Sequence, residues 1–286
     1  MSDPSIAVLP YGMKLGPSLS GTPLDRLNWP LGCPERLAGK TVGDLGPGDH
    51  LLVYPRTGTH FRLNRGTRAR ISLIMAEPAV IHAKHYALLR VTWRRFHRVL
   101  TFNQEAVDRL PNARLLLFGS TWVPEWRDLT PEKVAQCSLI ASAKRDSTGH
   151  KLRHAVVDWV RASGQDVAVL GRGYQPFDSK ADGLAPYRYS VVIENVQERN
   201  YFSEKLLDAV LCETVPIYWG CPNIGDFVDT RAMILCQGEE DIRRAVMAMS
   251  AEDYAARLPD LRALKDQLAP YAAHEARAAQ MILDEL

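Results

Sequence analysis

With 286 residues, 46% hydrophobic and 24% charged, the chain is long enough for two ordinary domains and has the composition of a soluble globular protein. That balance excludes disorder and low-complexity material, and no segment approaches the length that spans a bilayer. The start, Met1-Ser-Asp-Pro4, lacks the basic-then-apolar pattern of a secretory leader. The five widely spaced cysteines fit reduced thiols better than a disulfide framework or a zinc site, so a cytoplasmic protein is expected.

The net charge of +2 hides an asymmetry, because residues 1–128 hold 17 Lys/Arg against 10 Asp/Glu. Ten basic residues from Arg56 to Arg98 accompany a single acid, Glu77. A solvated basic face is the plainer reading. No nucleic-acid motif accompanies the stretch, so the partner expected for it is an anionic surface, with peripheral contact at the inner face of a membrane through residues 56–98.

In chain order, apolar runs at 6–9, 51–54, 71–75, 99–102 and 115–118 read as buried parallel strands, with helical patterns at 83–97 and 104–110 between them. The proline-punctuated stretch Gly119 to Pro131 reads as a crossing between domains. A second series follows: strand 138–141, amphipathic helix 150–162 stopped by Gly164, strand 167–170, a Gly171-Arg-Gly173 turn, strand 189–193, helix 204–212 and strand 215–219. From Glu239 the chain reads as helical, broken near Pro259 and Pro270. The alternation predicts an α/β protein of two Rossmann-like domains, 1–128 and 129–286, facing a central cleft that takes the ligand at the strand C-termini, with the last helix packing back on the first domain.

The strand ending in Glu194 and Asn195 is followed by Asn200-Tyr-Phe-Ser-Glu-Lys205, which opens a helix with Ser203 as N-cap. A helix N-terminus suits a diphosphate, and Lys205 in the first turn opposes the helix dipole and calls for an anion. Glu204 can accept from ribose hydroxyls, and Tyr201 can stack on a base. A capped helix with solvated Glu and Lys is the competing reading of this segment alone. No Asp-x-Asp pair and no metal-like spacing occur, which predicts a metal-independent site with no cofactor required.

Three blocks, Tyr187-Arg-Tyr-Ser-Val-Val-Ile-Glu-Asn195, Tyr201-Phe-Ser-Glu-Lys-Leu-Leu-Asp-Ala209 and Val215-Pro-Ile-Tyr-Trp-Gly-Cys-Pro222, resemble the donor-binding signature of the family 10 glycosyltransferases, the α-1,3/1,4-fucosyltransferases. The resemblance implies a GT-B fold and inverting transfer of fucose from GDP-fucose to a hydroxyl of a glycan acceptor, with a lipid-linked glycan among the acceptors it allows. Upstream it is weaker: the family's Ser-Asn-Pro loop corresponds to Ser142-Ala-Lys144, and the arginine that contacts the donor diphosphate to Arg153. It further implies that Glu77, in Ile71-Ser-Leu-Ile-Met-Ala-Glu-Pro78, is the catalytic carboxylate, which neighbouring guanidinium groups would keep ionised as general base. His82, His85, Arg172 and Lys180 are further candidates for lining the donor or acceptor cleft. A GT-B transferase using another nucleotide sugar, or a non-catalytic protein binding polyanions or glycans, are the alternatives.

Overall fold

The structure, a computed structural model, describes residues 4–286. The start Met1-Ser-Asp, on which the leader expectation rests, lies outside them. The chain divides into two compact units, one running through Phe118 and resumed at His274–Leu286, the other Gly119–Ala273.

The first unit is built on five parallel strands taken in chain order, β1 (Ile6–Val8), β2 (His50–Val53), β3 (Arg70–Met75), β4 (Val99–Thr101) and β5 (Ala113–Leu115). Their side chains alternate between two buried clusters: Ile6, Val8, Leu52, Ile74 and Leu100 in one, Ala7, Leu51, Val53, Leu73 and Val99 in the other. Right-handed crossovers between strands in chain order return on one face of the sheet, so the opposite face needs another cover. The C-terminal helix α8 (His274–Leu283) supplies it, with Ala278, Ala279 and Ile282 wholly buried beside β1, β2 and β3 residues. Glu285 ties the end of the chain to Arg98 and, at 2.5 Å, to Arg114. The connections of this unit carry α1 (Thr57–Phe61), α2 (Ala79–Thr92) and α3 (Gln104–Arg109), the last capped by Asn103. The strand expected at 115–118 forms instead at Ala113–Leu115, because the pairing with β4 begins at Ala113↔Val99.

The second unit orders its strands differently. β6 (Ala135–Ile140) and β7 (Val167–Leu170) run to one side; the chain then returns to the other side of β6 for β8 (Tyr187–Ile193), β9 (Val215–Trp219) and β10 (Ile234–Leu235). The order β10-β9-β8-β6-β7 therefore reverses between β6 and β8. A crevice opens outside the carboxyl ends of the strands at such a reversal, and ligands of open α/β sheets bind there. Around the sheet lie α4 (Thr148–Ser163), α5 (Glu204–Leu211), α6 (Glu239–Ala248) and α7 (Ala251–Leu268). Ser147 caps α4 at its start, and Gly164, at φ 66°, stops it in the left-handed conformation. No break occurs at Pro259: α7 runs through it, held by wholly buried Leu261, Leu264 and Leu268, and ends at the turn containing Pro270. The segment 119–131 belongs to this unit, since Asp208 of α5 binds Thr121 and Trp122. The division thus falls at Gly119, ten residues before the expected boundary.

Candidate functional site

The reversal between β6 and β8 brings the end of β8 against the first turns of α4. Gly149 makes this possible: a Cβ there would lie 1.7 Å from the Glu194 carbonyl oxygen, and its N–H donates to the Asn195 carbonyl at 2.9 Å. One turn on, Arg153 is 6% exposed and donates Nε and Nη2 to the Ile193 carbonyl (3.0 and 2.7 Å) and Nη2 to Asn195 Oδ1 (2.9 Å). Its Nη1 makes no hydrogen bond among the described residues. Ser142, at the end of β6, is half-buried and accepts from Lys144 N–H.

Glu194 is wholly buried, and both of its carboxylate oxygens are taken by the N-cap of α5. Ser203 donates its N–H to Oε1 at 2.8 Å and its hydroxyl to Oε2 at 2.6 Å. The expected direct donor contact at Glu194 is therefore corrected: it positions the start of α5. Lys205 Nζ lies 3.6 Å from Glu194 Oε2 and 2.9 Å from Glu204 Oε1, and donates to Ser203 Oγ at 3.1 Å. Part of the counter-charge that Lys205 needs against the helix dipole is thus supplied by the protein's own carboxylates, while its side chain stays 22% exposed. Burial works against the Lys205 ammonium, but Glu194 and Glu204 more than offset it and raise its pKa. Burial pushes the Glu204 carboxyl up; the charge and hydrogen bond of Lys205, then Lys180, outweigh it and hold it below the usual range.

Tyr201 is also corrected. It is 3% exposed, so its ring offers no open face to a base, and it precedes a wholly buried Phe202. The loop before α5 is fixed by a reciprocal pair: Asn200, at φ 65°, donates its N–H to Asn223 Oδ1 (2.8 Å) and accepts from Asn223 Nδ2 (2.9 Å).

The Lys180 ammonium makes no ion pair or hydrogen bond among the described residues. Burial lowers its pKa, against support from Asp208 and Glu204. Asp208, one turn along α5 from Glu204, is wholly buried. Its Oδ1 accepts from Thr121 Oγ1 (2.7 Å) and Trp122 N–H (3.0 Å), while Oδ2 has no hydrogen-bond partner among the described residues. Burial pushes the Asp208 carboxyl up to about 6, opposed by Lys180 and the two hydrogen bonds. Sequence reasoning missed Asp208, Trp122 and Gly149; the only signal for Asp208 was its spacing of four from Glu204, which puts both on one face of α5. Arg172 is exposed in the turn after β7.

The remaining candidates belong to the first unit. Glu77 is exposed between β3 and α2. His82 and His85 are half-buried on α2, whose helical geometry is interrupted at His82. His85 Nδ1 lies 3.1 Å from Nε2 of wholly buried His60, and His82 Nδ1 is buried without a hydrogen-bond partner among the described residues. Burial takes His60 and His82 down to about 4 and lowers His85 as well, so this cluster is neutral at pH 7. Among the described residues no group of three His, Cys, Asp or Glu could hold a metal ion, and no helix is long and apolar enough to cross a membrane.

Two parallel sheets in successive units, the second with its ligand crevice at a strand-order reversal, define an α/β protein of the GT-B type. The fold is shared with a UDP-forming α,α-trehalose-phosphate synthase from Burkholderia vietnamiensis, with TM-score 0.53 and 11% identity over 85% of this chain and 73% of that one. A solved α1,3-fucosyltransferase with GDP aligns at TM-score 0.49 and 18% identity, covering 72% of this chain and 68% of that one. In sequence the chain is similar to the family 10 glycosyltransferases: it is 32% identical over 56 residues to the α-(1,3)-fucosyltransferase FucT of Helicobacter pylori. Those residues are 20% of this chain, which spans 12% of that relative's length. No family model matches the chain.

Proposed function

We propose that the chain is an inverting glycosyltransferase that moves fucose from GDP-fucose to a hydroxyl of a glycan acceptor. One observation carries the reading: Lys180, Glu204, Lys205 and Arg153 gather at the carboxyl end of β8, in the crevice of the second unit and within or beside the blocks that resemble the donor signature. In this reading Lys180, Lys205 and Arg153 Nη1 meet the diphosphate, and Glu204 accepts from the ribose. Asn195 and Ser203 hold the surrounding backbone. Negative charge grows on the departing diphosphate, so cations fixed there act on the transition state more than on the bound donor. Glu77 serves as the base that deprotonates the acceptor hydroxyl. The acceptor is a surface glycan carried on a lipid, approached through the basic 56–98 stretch, where Phe61 and Leu63 are exposed among arginines.

Calorimetric titration with GDP-fucose, GDP-mannose and UDP-sugars tests the donor. Tightest binding of GDP-fucose, with GDP released on adding a glycan acceptor, is the expected result. Preference for a UDP-sugar would move the protein to another transferase activity on the same fold. Binding of polyanions with no nucleotide-sugar affinity would remove the enzymatic reading altogether.

A further inference from the structure

Trp122 is 66% exposed, an unusual place for an indole unless something covers it. Its backbone is nonetheless fixed. The Trp122 N–H donates to Asp208 Oδ1, Thr121 Oγ1 donates to the same oxygen at 2.7 Å, and Thr121 Oγ1 accepts the N–H of Val123 at 3.0 Å. A buried carboxylate thus holds in place a loop whose tip is an open aromatic face. Over that face lies Lys180, its Nζ 6.0 Å from the ring centroid and otherwise without a partner among the described residues.

The order of groups along α5 gives the ring a role. Lys205, beside the N-cap, marks the anion end, Glu204 stands next to it, and Asp208 lies one turn further, carrying the Trp122 loop. A nucleoside diphosphate whose phosphates meet Lys205 and whose ribose meets Glu204 extends its remaining part, the planar base, toward Asp208 and Lys180. Tyr201, the aromatic on the other side of the anion end, is buried and cannot receive it. We propose that Trp122 is the stacking platform for the nucleotide base, with Thr121 and Asp208 as positioning residues and Lys180 bridging the platform to the phosphates. The proposal rests on the donor reading above and adds to it the residue that grips the base. Stacking tolerates any flat heterocycle, so Trp122 contributes affinity for nucleotides in general and leaves the choice among bases to other groups.

Titration of W122A and W122F with GDP and with inorganic pyrophosphate, which has no base, tests the proposal. W122A is expected to bind GDP about tenfold or more weakly, W122F to recover most of that loss, and pyrophosphate to bind all forms alike. Unchanged GDP affinity in W122A, or equal weakening of GDP and pyrophosphate, overturns it while leaving the donor reading standing. So does weakened GDP-fucose binding with GDP unaffected, which would assign the indole to the sugar. A native chain that binds no GDP overturns both readings together.

Discussion

Ser203 and Glu194 share a two-point contact: the backbone N–H and the hydroxyl of one residue occupy the two carboxylate oxygens of the other, at 2.8 and 2.6 Å, with the carboxylate wholly removed from solvent. The N-terminus of α5 is therefore set before any ligand arrives. Hydrogen bonds to a buried charge contribute about 1.5–3 kcal/mol each, and breaking a buried pair from one side leaves its partner uncompensated. Glu194→Ala should accordingly lower the unfolding free energy by about 3 kcal/mol or more and weaken nucleotide binding with it. Urea denaturation beside GDP titration checks this; a variant of native stability would show that Glu194 does not hold the helix start.

Asp208 predicts a pH dependence with a definite sign. Its carboxyl is pushed up to about 6 in the folded protein from an ordinary 3.8, mainly by burial. Between those values the folded state binds more protons than the unfolded one, so this residue's contribution is fully present below about pH 4 and is lost as pH rises through about 6. The loss amounts to about 3 kcal/mol. Subtracting the stability of Asp208→Asn from that of the native chain across about pH 4 to 7 isolates it. The difference should decline with rising pH over that window, and an increase would contradict the burial argument.

These two residues also show why the site was only partly legible in the sequence. The residues from Tyr187 to Pro222 are nearly contiguous, and a strand ending in Glu194, a cap at Ser203 and a charged first turn are local patterns that sequence displays directly. The roles within them were not local. Lys205 looked like a cation in want of a ligand because nothing in its spacing shows that Glu194, eleven positions earlier, folds back beneath it. Tyr201 looked available for stacking because burial depends on the loop pinned by Asn223. The Asp208 to Trp122 contact crosses 86 positions and has no periodic signature. The same limit applied to α7: proline forecasts a break, but packing of Leu261 and Leu264 carries the helix past Pro259.

Gly149 is a steric test of the crevice floor. An added Cβ would stand 1.7 Å from the Glu194 carbonyl oxygen and 2.9 Å from that of Asn195, both backbone atoms that cannot swing aside. Gly149→Ala should shift α4 away from β8, costing about 1–3 kcal/mol or more and loosening Arg153 from Ile193. Thermal melting and GDP titration should both register the change. An unaffected melting temperature would mean that the close approach is not needed.

Glu77→Gln separates chemistry from binding. A general base contributes about 10²–10⁴-fold to rate, while an exposed carboxylate that is not among the proposed donor-binding residues should matter little to nucleotide affinity. Transfer to an acceptor is expected to fall by that range while GDP affinity stays within about twofold. Full transfer activity in the variant would sink the assignment of the base. Chelation with EDTA should leave the native rate unchanged if the lysines and Arg153 alone meet the diphosphate, and a loss restored by Mg²⁺ would replace that reading.

Lys180 and Lys205 should part company when each is removed. Lys205 is held between Glu194 and Glu204, so Lys205→Ala leaves two partly or wholly buried carboxylates facing each other without a cation and should destabilise the fold. Lys180 has no such pair among the described residues, and the cost of burying its charge is offset by the diffuse influence of Asp208 and Glu204 and by the Trp122 ring beneath it. Lys180→Ala should therefore leave stability near native or slightly raised, yet weaken GDP and pyrophosphate binding, because the lost charge had been waiting for a phosphate. Denaturation curves and titrations of the two variants read this contrast directly. If Lys180→Ala proved the more destabilising of the two while binding GDP normally, the lysine would be a structural partner of Asp208, and the anion site would have to be assigned to Lys205 and Arg153 without it.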